Sequence, residues 1–397
     1  MKVLFIAPGN SVHTARWIRQ CQSEGIQAFL YTTSDFSQVE DNKDLTLIKP
    51  SSIADFKWLR IFHSVISIGS RLRIKELVEI PLHMLKIRST INSNEIDVVH
   101  VHWLFHSAAV AASLISGSIS VATPWGSDIQ WDLKGNSLSL RQKMIRKAFL
   151  RVIVKRSTHF CCDALHLKEA LVGLGANATD VEIIYFGVDV EKFSINNYST
   201  DFRASIGIKP DDVMVLSNRG LEPVYDVATF IQAAHFALKK ITHLKFVVAS
   251  SGSQRAYLED LVKELKISDS VVFLGRLSNE EFPIVTASSD IYVSTSTSDG
   301  GLAASVAEAM ASSVPVLNTN FGENPMWMED GPAGLCFPIG DYEKLADFIV
   351  DLGENPSLRT EMGQHGRAII LKSNNSTIES KKIKSMYMSI VKTENLQ

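Results

Sequence analysis

The chain has 397 residues, 45% hydrophobic and 21% charged, which is more than a single apolar core usually organises, so two domains are expected. A formal net charge of −3 and a pI near 6.4 exclude the general basicity of a nucleic-acid-binding protein. The four cysteines, Cys21, Cys161, Cys162 and Cys336, have neither zinc or redox spacing nor the density of a disulfide framework, and a reducing cytoplasm is the expected location.

In chain order, KVLFIA (residues 2–7) stops at Pro8 and Gly9, too short for a secretory signal, and reads as a first buried strand. The amphipathic TARWIRQCQSEG follows. The segment FKWLRIF to HMLKIR (56–88) is basic and apolar, and DVVHVHW (97–103) is a second strand followed by the helical HSAAVAASLIS. His100, His102 and His106 interrupt the apolar stretch Val98–Ser116, and a membrane span needs about 20 mostly apolar residues, so none is expected. After VATPWGSD (121–128) comes RQKMIRKAFLRVIVKR, with seven lysines and arginines, in a stretch from Leu133 to Cys162 that contains no acidic residue.

A polar passage near residues 190–205 reads as the linker. Beyond it, strands MVLSN, KFVVAS, VVFLG, DIYVSTS and PVLNTN alternate with helical VATFIQAAHFALKK and RAYLEDLVKELK. This alternation predicts an α/β fold of two Rossmann-like domains with mostly parallel sheets, residues 1–190 and 191–375, with a terminal helix near 376–392 packing back on the first. Ligands are then expected beyond the carboxyl ends of the strands, in a cleft between the two domains.

The most informative loop is STSTSDGGLAASVAEAM, a strand end running through Gly300 and Gly301 into a helix that carries Glu308. Glycines allow close backbone approach, exposed amides at a helix start favour phosphate oxygens, and a glutamate further along can accept hydrogen bonds from a ribose diol. The competing reading is a plain turn with a solvated glutamate.

The run DGGLAASVAEAM, followed by PV and NFGENPMW, resembles the donor site of the retaining glycosyltransferases of family 4, which have the GT-B fold. There an acidic residue and a later glutamate usually differ by eight in number; Asp299 and Glu308 differ by nine, and the first acid is Asp. Upstream, SNRGLEPVYD resembles the family's diphosphate-binding segment: Arg219 matches its arginine, while Val224 and Tyr225 stand where a lysine is usual. The resemblance implies a donor site of Arg219, Tyr225, Asp299, Gly300, Gly301, Leu302, Ser305 and Glu308, with Arg276 as a second cation and the Gly275–Leu277 turn at the nucleobase. On the facing domain it implies Gly9 near the phosphates and His13, His102, Trp103, Trp125 and Gly126 around the acceptor, with Trp125 where many members have histidine; His106 and Asp128 join Arg219 and Glu308 as catalytic candidates. A histidine at a strand end is also commonly structural.

The implied reaction moves a sugar from a nucleotide-diphosphate sugar, with retention, to a saccharide acceptor, one that is lipid-linked in surface polysaccharide or lipopolysaccharide assembly. The nucleotide sugar is a substrate, and no metal or other cofactor is expected, since no DxD stands at a matching strand end. No P-loop or strand-linked GxGxxG is present either. The basic amphipathic stretches suggest peripheral attachment to an anionic membrane surface, or equally a packed helix with a solvated cationic face. A nucleotide-sugar epimerase and a catalytically weak sugar-binding or scaffold subunit remain as alternatives.

Overall fold

The computed structural model describes residues 1–50, 75–115, 120–126, 128–129, 140–299, 301–329 and 333–394. The chain divides into two units, Met1–Phe186 with Glu379–Gln397, and Gly187–Ile378, each built on its own sheet.

The first sheet contains β1 (Lys2–Ile6), β2 (Gln27–Tyr31), β3 (Thr46–Ile48), β4 (Val98–His102), β5 (Ser120–Thr123), β6 (His159–Cys162) and β7 (Val181–Ile183). Their order is β3-β2-β1-β4-β5-β6-β7 and every neighbouring pair is parallel. Side chains alternate across the pleat, and both faces are covered. Val3 and Phe5 pack with Trp17 and Ile18 of the helix Val12–Ser23, and with Ile383, Met386, Tyr387 and Ile390 of the helix Ser376–Glu394. Leu4 and Ile6 pack on the other side with Ala109 and Ala112 of the helix Ser107–Leu114, and with Phe149, Leu150 and Ile153 of the helix Leu140–Arg156. Trp17 Nε1 donates to the Tyr387 hydroxyl at 3.3 Å, fixing the last helix against the first.

Residues 190–205, read from composition as a linker, lie within the second unit and carry structure: a 3₁₀ turn at Ile195–Asn197 and a helix at Thr200–Ser205. Arg203 in that helix is buried, pairs with Asp290 at 2.8 Å and donates to the carbonyls of Asp212 and Ser288. The passage is polar because Glu191, Lys192 and Asp201 face solvent while Arg203 is buried and paired.

The second sheet contains β8 (Val213–Ser217), β9 (Leu244–Val248), β10 (Val271–Phe273), β11 (Ile291–Ser294), β12 (Val316–Thr319) and β13 (Gly334–Phe337), in the order β10-β9-β8-β11-β12-β13, again all parallel. One face is closed by the helices Val227–Leu238 and Tyr342–Glu354 over Phe230, Phe246 and Ile349. Against the other lies the short helix Ala304–Ala311, buried from Val306 to its end and seated on the helix Pro356–Ser373. Two glycines permit that seating: a Cβ on Gly363 would meet the Ser313 carbonyl oxygen at 2.0 Å, and one on Gly366 would touch Met310 at 3.4 Å. Arg367 from the same helix donates to the Ala311 carbonyl.

In each sheet the strand order reverses once, between β1 and β4 and between β8 and β11. Crossovers leaving the two strands go to opposite faces, so a crevice opens at their carboxyl ends. No helix among the described residues is long and apolar enough to cross a membrane.

Because Gly363 sets the depth of the helix Ala304–Ala311, Gly363→Ala is expected to destabilise the second unit by about 1–3 kcal/mol, as overpacked cores do. A lowered unfolding midpoint in thermal or denaturant melts checks it.

Candidate functional site

At the second crevice the chain leaves β8 through Ser217, Asn218 and Arg219, and leaves β11 through Thr295 to Asp299 before entering the helix Ala304–Ala311. Arg219 joins the two sides. Its Nη2 donates to Asp299 Oδ1, its Nη1 donates to Ser305 Oγ at 3.1 Å, and its guanidinium lies over the Tyr225 ring with Cζ 4.5 Å from the centroid. Gly220 makes room for that ring: a Cβ there would meet Tyr225 Cε2 at 2.9 Å. The loop bearing Tyr225 is tied to the β11 loop, Thr297 N–H donating to the Val224 carbonyl at 2.9 Å and Thr295 Oγ1 to the Tyr225 carbonyl at 2.8 Å.

Both side chains of the Arg219–Asp299 pair are about nine-tenths buried. Burial works against the guanidinium's charge, but the Asp299 carboxylate, with Tyr292 and Tyr225, outweighs it and holds Arg219 above its ordinary range. The pair is monodentate, and Arg219 Nε and Asp299 Oδ2 are buried without a hydrogen-bond partner. Such half-satisfied polar groups are uncommon in a settled core and commonly mark sites that a ligand completes.

Glu308 is buried one turn into its helix. Ala303 at the N-cap has no side-chain acceptor, so the first amides of that helix have no capping side chain and make a ready anion site. Tyr292 was not singled out from sequence, where it reads as core in DIYVSTS. Its hydroxyl bridges Asn218 Oδ1 at 2.7 Å and Ser305 Oγ at 2.8 Å, connecting the two strand ends. Gly275 sits at φ +80°, the left-handed conformation that opens its turn. Arg276 is exposed on that turn after β10, with β9 between it and Arg219's strand; Leu277 is half-buried. Gly301 is buried and Leu302 half-buried, while Gly300 lies outside the described residues.

The first crevice holds a cavity of about 500 Å³ lined by residues after β1, β2, β4 and β5, among them Asn10, His13, Ser34, Trp103, His106 and Trp125. Trp103 has φ 57°, a left-handed backbone that costs a bulky residue roughly 1–2 kcal/mol. Its ring stacks on His106, with centroids 6.1 Å apart and planes 19° off parallel. Trp125 packs edge-on to His102 at 5.5 Å and tilted to His13 at 5.3 Å. Gly126 follows at φ +95°, a turn that glycine makes without strain.

Several residues singled out from sequence have structural work of their own here. Gly9 donates its N–H to Thr32 Oγ1 at 2.9 Å and Ser34 Oγ at 2.8 Å, and a Cβ on it would meet the Asp35 carbonyl oxygen at 2.7 Å. His106 caps the helix Ser107–Leu114: Nδ1 accepts the Ala109 N–H at 3.2 Å, which leaves the proton on Nε2 to donate to the His102 carbonyl at 3.3 Å. Asp128 is buried and clamps two loops, Oδ2 accepting the Leu104 N–H at 2.7 Å and Oδ1 the Trp125 N–H at 2.9 Å. His102 points into the core between Trp17, His100 and Trp125, both ring nitrogens buried without a partner. Of the acceptor-side set, His13, Trp103 and Trp125 line the cavity and His102 stands behind it.

Burial lowers the pKa of His13 and His106 to about 4 and of His102 to about 3, and raises that of Asp128 to about 6 against the pull of its backbone donors. The signs oppose. The histidines stabilise the fold fully above their unfolded pKa of about 6.5, and this is lost as pH falls through 4. Asp128 favours the fold most below its unfolded value and loses that contribution as pH rises through about 6. With His83 and His100 also lowered and Glu182 and Glu379 also raised by burial, five depressed histidines stand against three raised carboxylates among the described residues, and the first unit is expected to lose roughly 1–3 kcal/mol per pH unit as pH falls from 6 to 4. Thermal melts across that window check the slope.

The matches to known proteins cover both units. The model described as "Glycosyl transferase 4-like" matches residues 2–163 and that of "Glycosyl transferases group 1" matches 199–369. The chain is 26% identical over 312 residues to N-acetyl-alpha-D-glucosaminyl L-malate synthase of Bacillus anthracis, covering 77% of each chain. It is 24% identical over 293 residues to a GDP-mannose-dependent monoacylated phosphatidylinositol monomannoside mannosyltransferase of Corynebacterium glutamicum, covering 70% of this chain and 72% of that one. Among solved structures, Anabaena HepE in complex with UDP and glucose matches 98% of this chain and 100% of its own with a TM-score of 0.74 at 16% identity, a likeness of fold.

Proposed function

Since the chain belongs to the GT-B glycosyltransferases, joining a glycosyl transferase 4-like domain to a group 1 domain, we propose that Arg219 and the helix Ala304–Ala311 bind the diphosphate of its nucleotide-sugar donor and that the sugar is transferred with retention. The observation that carries this reading is the bond from Arg219 to Ser305 in the first turn of a helix with no capping side chain, which sets a fixed cation beside helix N-terminal amides. Glu308, in the same helix, is assigned to the ribose hydroxyls, and Asp299 to holding Arg219 until the diphosphate takes its place.

In the reaction the bond between the anomeric carbon and the leaving phosphate oxygen breaks. The acceptor hydroxyl forms the new bond on the same face, and its proton passes to the departing diphosphate. Negative charge therefore grows where Arg219 and the helix amides lie, and preorganised donors aimed at that charge lower the barrier most. Such an arrangement works without a metal: guanidinium and amides supply the stabilisation.

The acceptor is assigned to the cavity of the first unit, and its class to lipid-linked saccharides used in surface polysaccharide assembly at the cytoplasmic face of a membrane. Support comes from the helix Leu140–Arg156, which buries Phe149, Leu150, Ile153 and Val154 and turns Leu140, Met144, Lys147, Arg151, Lys155 and Arg156 to solvent. An exposed face that is apolar at one end and cationic along its length suits an anionic bilayer surface. The Corynebacterium relative, by its name, acts on a phosphatidylinositol mannoside.

Two measurements test the reading. Nucleoside diphosphates should raise the melting temperature of the wild type, and Arg219→Ala or Glu308→Ala should weaken that binding about 10–100-fold, the worth of a charge-assisted hydrogen bond. If none binds, the donor site is wrong. In flotation, the protein should rise with anionic but not neutral liposomes, salt should release it, and Lys147→Glu with Arg151→Glu should abolish it; salt-insensitive absence from both vesicles removes the membrane assignment.

A further inference from the structure

We infer that the cavity of the first unit receives an uncharged sugar ring, stacked on its tryptophans, and rejects acceptors that carry a carboxylate or phosphate on that ring. The inference rests on the reading of this cavity as the acceptor site and narrows its chemistry.

The first ground is the lining itself. Among the described residues it contains no lysine, arginine, aspartate or glutamate. Its ionisable members stay neutral: burial holds the imidazoles of His13 and His106 at about 4. Burial likewise raises Tyr31, whose hydroxyl is bonded to His83 Nδ1 at 2.7 Å. Just outside the lining, Arg16 acts on His13 and Glu79 on Tyr31, while Asp35 accepts from Asn10 Nδ2 at 3.3 Å and Asp128 from the Trp125 N–H at 2.9 Å, so carboxylates outnumber cations there.

The second ground is that some of the backbone donors which ordinarily attract anions are already engaged. Two helices begin at this crevice, and one first-turn amide of each is capped from within the chain. Ser11 Oγ accepts the His13 N–H of the helix Val12–Ser23, and His106 Nδ1 accepts the Ala109 N–H of the helix Ser107–Leu114. The glycine amide after β1 is likewise taken, by Thr32 and Ser34. The second unit is the opposite case, with an uncapped helix beside an arginine. An anionic group placed in the first cavity would lose its hydration and find no lysine or arginine among the described lining residues to hold it.

What remains suits a pyranose. Trp103 and Trp125 offer indole faces whose negative quadrupole complements the polarised C–H edge of a sugar ring. Both are held: Trp103 by its left-handed backbone and its stack on His106, Trp125 by His102 edge-on behind it and by the bond from its N–H to Asp128. Asn10, Thr33 and Ser34 at the rim bring neutral donors and acceptors to the hydroxyls. A volume of about 500 Å³ lies within the range of small-molecule sites.

The test is saturation-transfer NMR on the full chain with the methyl glycosides of glucose, galactose, mannose and N-acetylglucosamine, each hexose also as its 6-carboxylate and 6-phosphate. At least one neutral glycoside should bind, and about tenfold or more tighter than its charged counterparts. Trp125→Ala should abolish that binding and Trp125→Phe restore part of it, while nucleoside diphosphate binding, measured on the same samples, stays at the wild-type level and wild-type circular dichroism and thermal melts show that the first unit of the variants is folded. The inference falls if a charged form binds as well as its neutral parent, if no neutral glycoside binds, or if Trp125→Ala and Trp103→Ala both bind as the wild type does. Loss of nucleotide binding in the wild type with the glycoside pattern intact would overturn the donor assignment alone.

Discussion

The reversal of strand order at the centre of each sheet is the constraint on which the rest depends. A parallel sheet covered on both faces has no free surface along its length, because every side chain from Val3 to Ile6, or from Val213 to Ser217, is buried. The carboxyl ends of β1 and β4, and of β8 and β11, are where neighbouring crossovers part company and leave room. Residues that bind or react in such a fold are those immediately following these four strands: Pro8 to His13, Trp103 to His106, Asn218 to Tyr225, and Thr295 to Ser305. Packing elsewhere serves to fix these loops. Gly363 and Gly366 let one helix settle onto another so that Ser305 reaches Arg219 and Tyr292.

The absent lysine acquires a physical explanation at Tyr225. A second cation beside Arg219 would repel it in a site where both groups are largely removed from water. The ring instead lies under the guanidinium at 4.5 Å, adding attraction without charge. One arginine thus stands with one carboxylate and one aromatic face, a locally neutral arrangement that is tolerable when empty. In the proposed reaction it becomes cationic toward the donor once Asp299 yields.

Much of this was legible in the sequence, for identifiable reasons. Strands buried on both faces read as unbroken apolar runs, so the α/β class and seven of the thirteen described strands could be placed, while short strands such as β3, β6 and β7 gave too brief a run; Arg219, Asp299 and Glu308 were singled out through the family resemblance of SNRGLEPVYD and DGGLAASVAEAM. Less legible were partnerships formed across long separations. Tyr292 looks like core in its strand and becomes polar machinery only when Asn218 and Ser305 arrive beside it. His106 and Asp128 look catalytic as isolated side chains and turn out to cap a helix and clamp two loops. The polar passage at 190–205 looks like a linker because composition cannot reveal that Arg203 will be buried against Asp290. Gly9 was noticed for its residue type, while its cause, the Asp35 carbonyl crossing above it, lies on another loop.

The two crevices differ in electrostatics, and under the proposed assignment of donor and acceptor the difference follows the demands of sugar transfer. A nucleotide-sugar donor brings a diphosphate whose negative charge increases as the glycosidic bond breaks, so the unit that binds it needs a fixed cation and uncapped amides. An acceptor brings a hydroxyl that must remain nucleophilic as the anomeric carbon becomes electron-poor. Cationic side chains near that hydroxyl would oppose the developing positive charge on the carbon. A neutral, aromatic cavity with depressed histidines avoids that opposition and orients the ring by shape. The same reasoning accounts for the internal capping of the helices Val12–Ser23 and Ser107–Leu114. Without Ser11 and His106 in those positions, their N-termini would offer further amides to a diphosphate, in competition with the helix Ala304–Ala311 proposed to hold it.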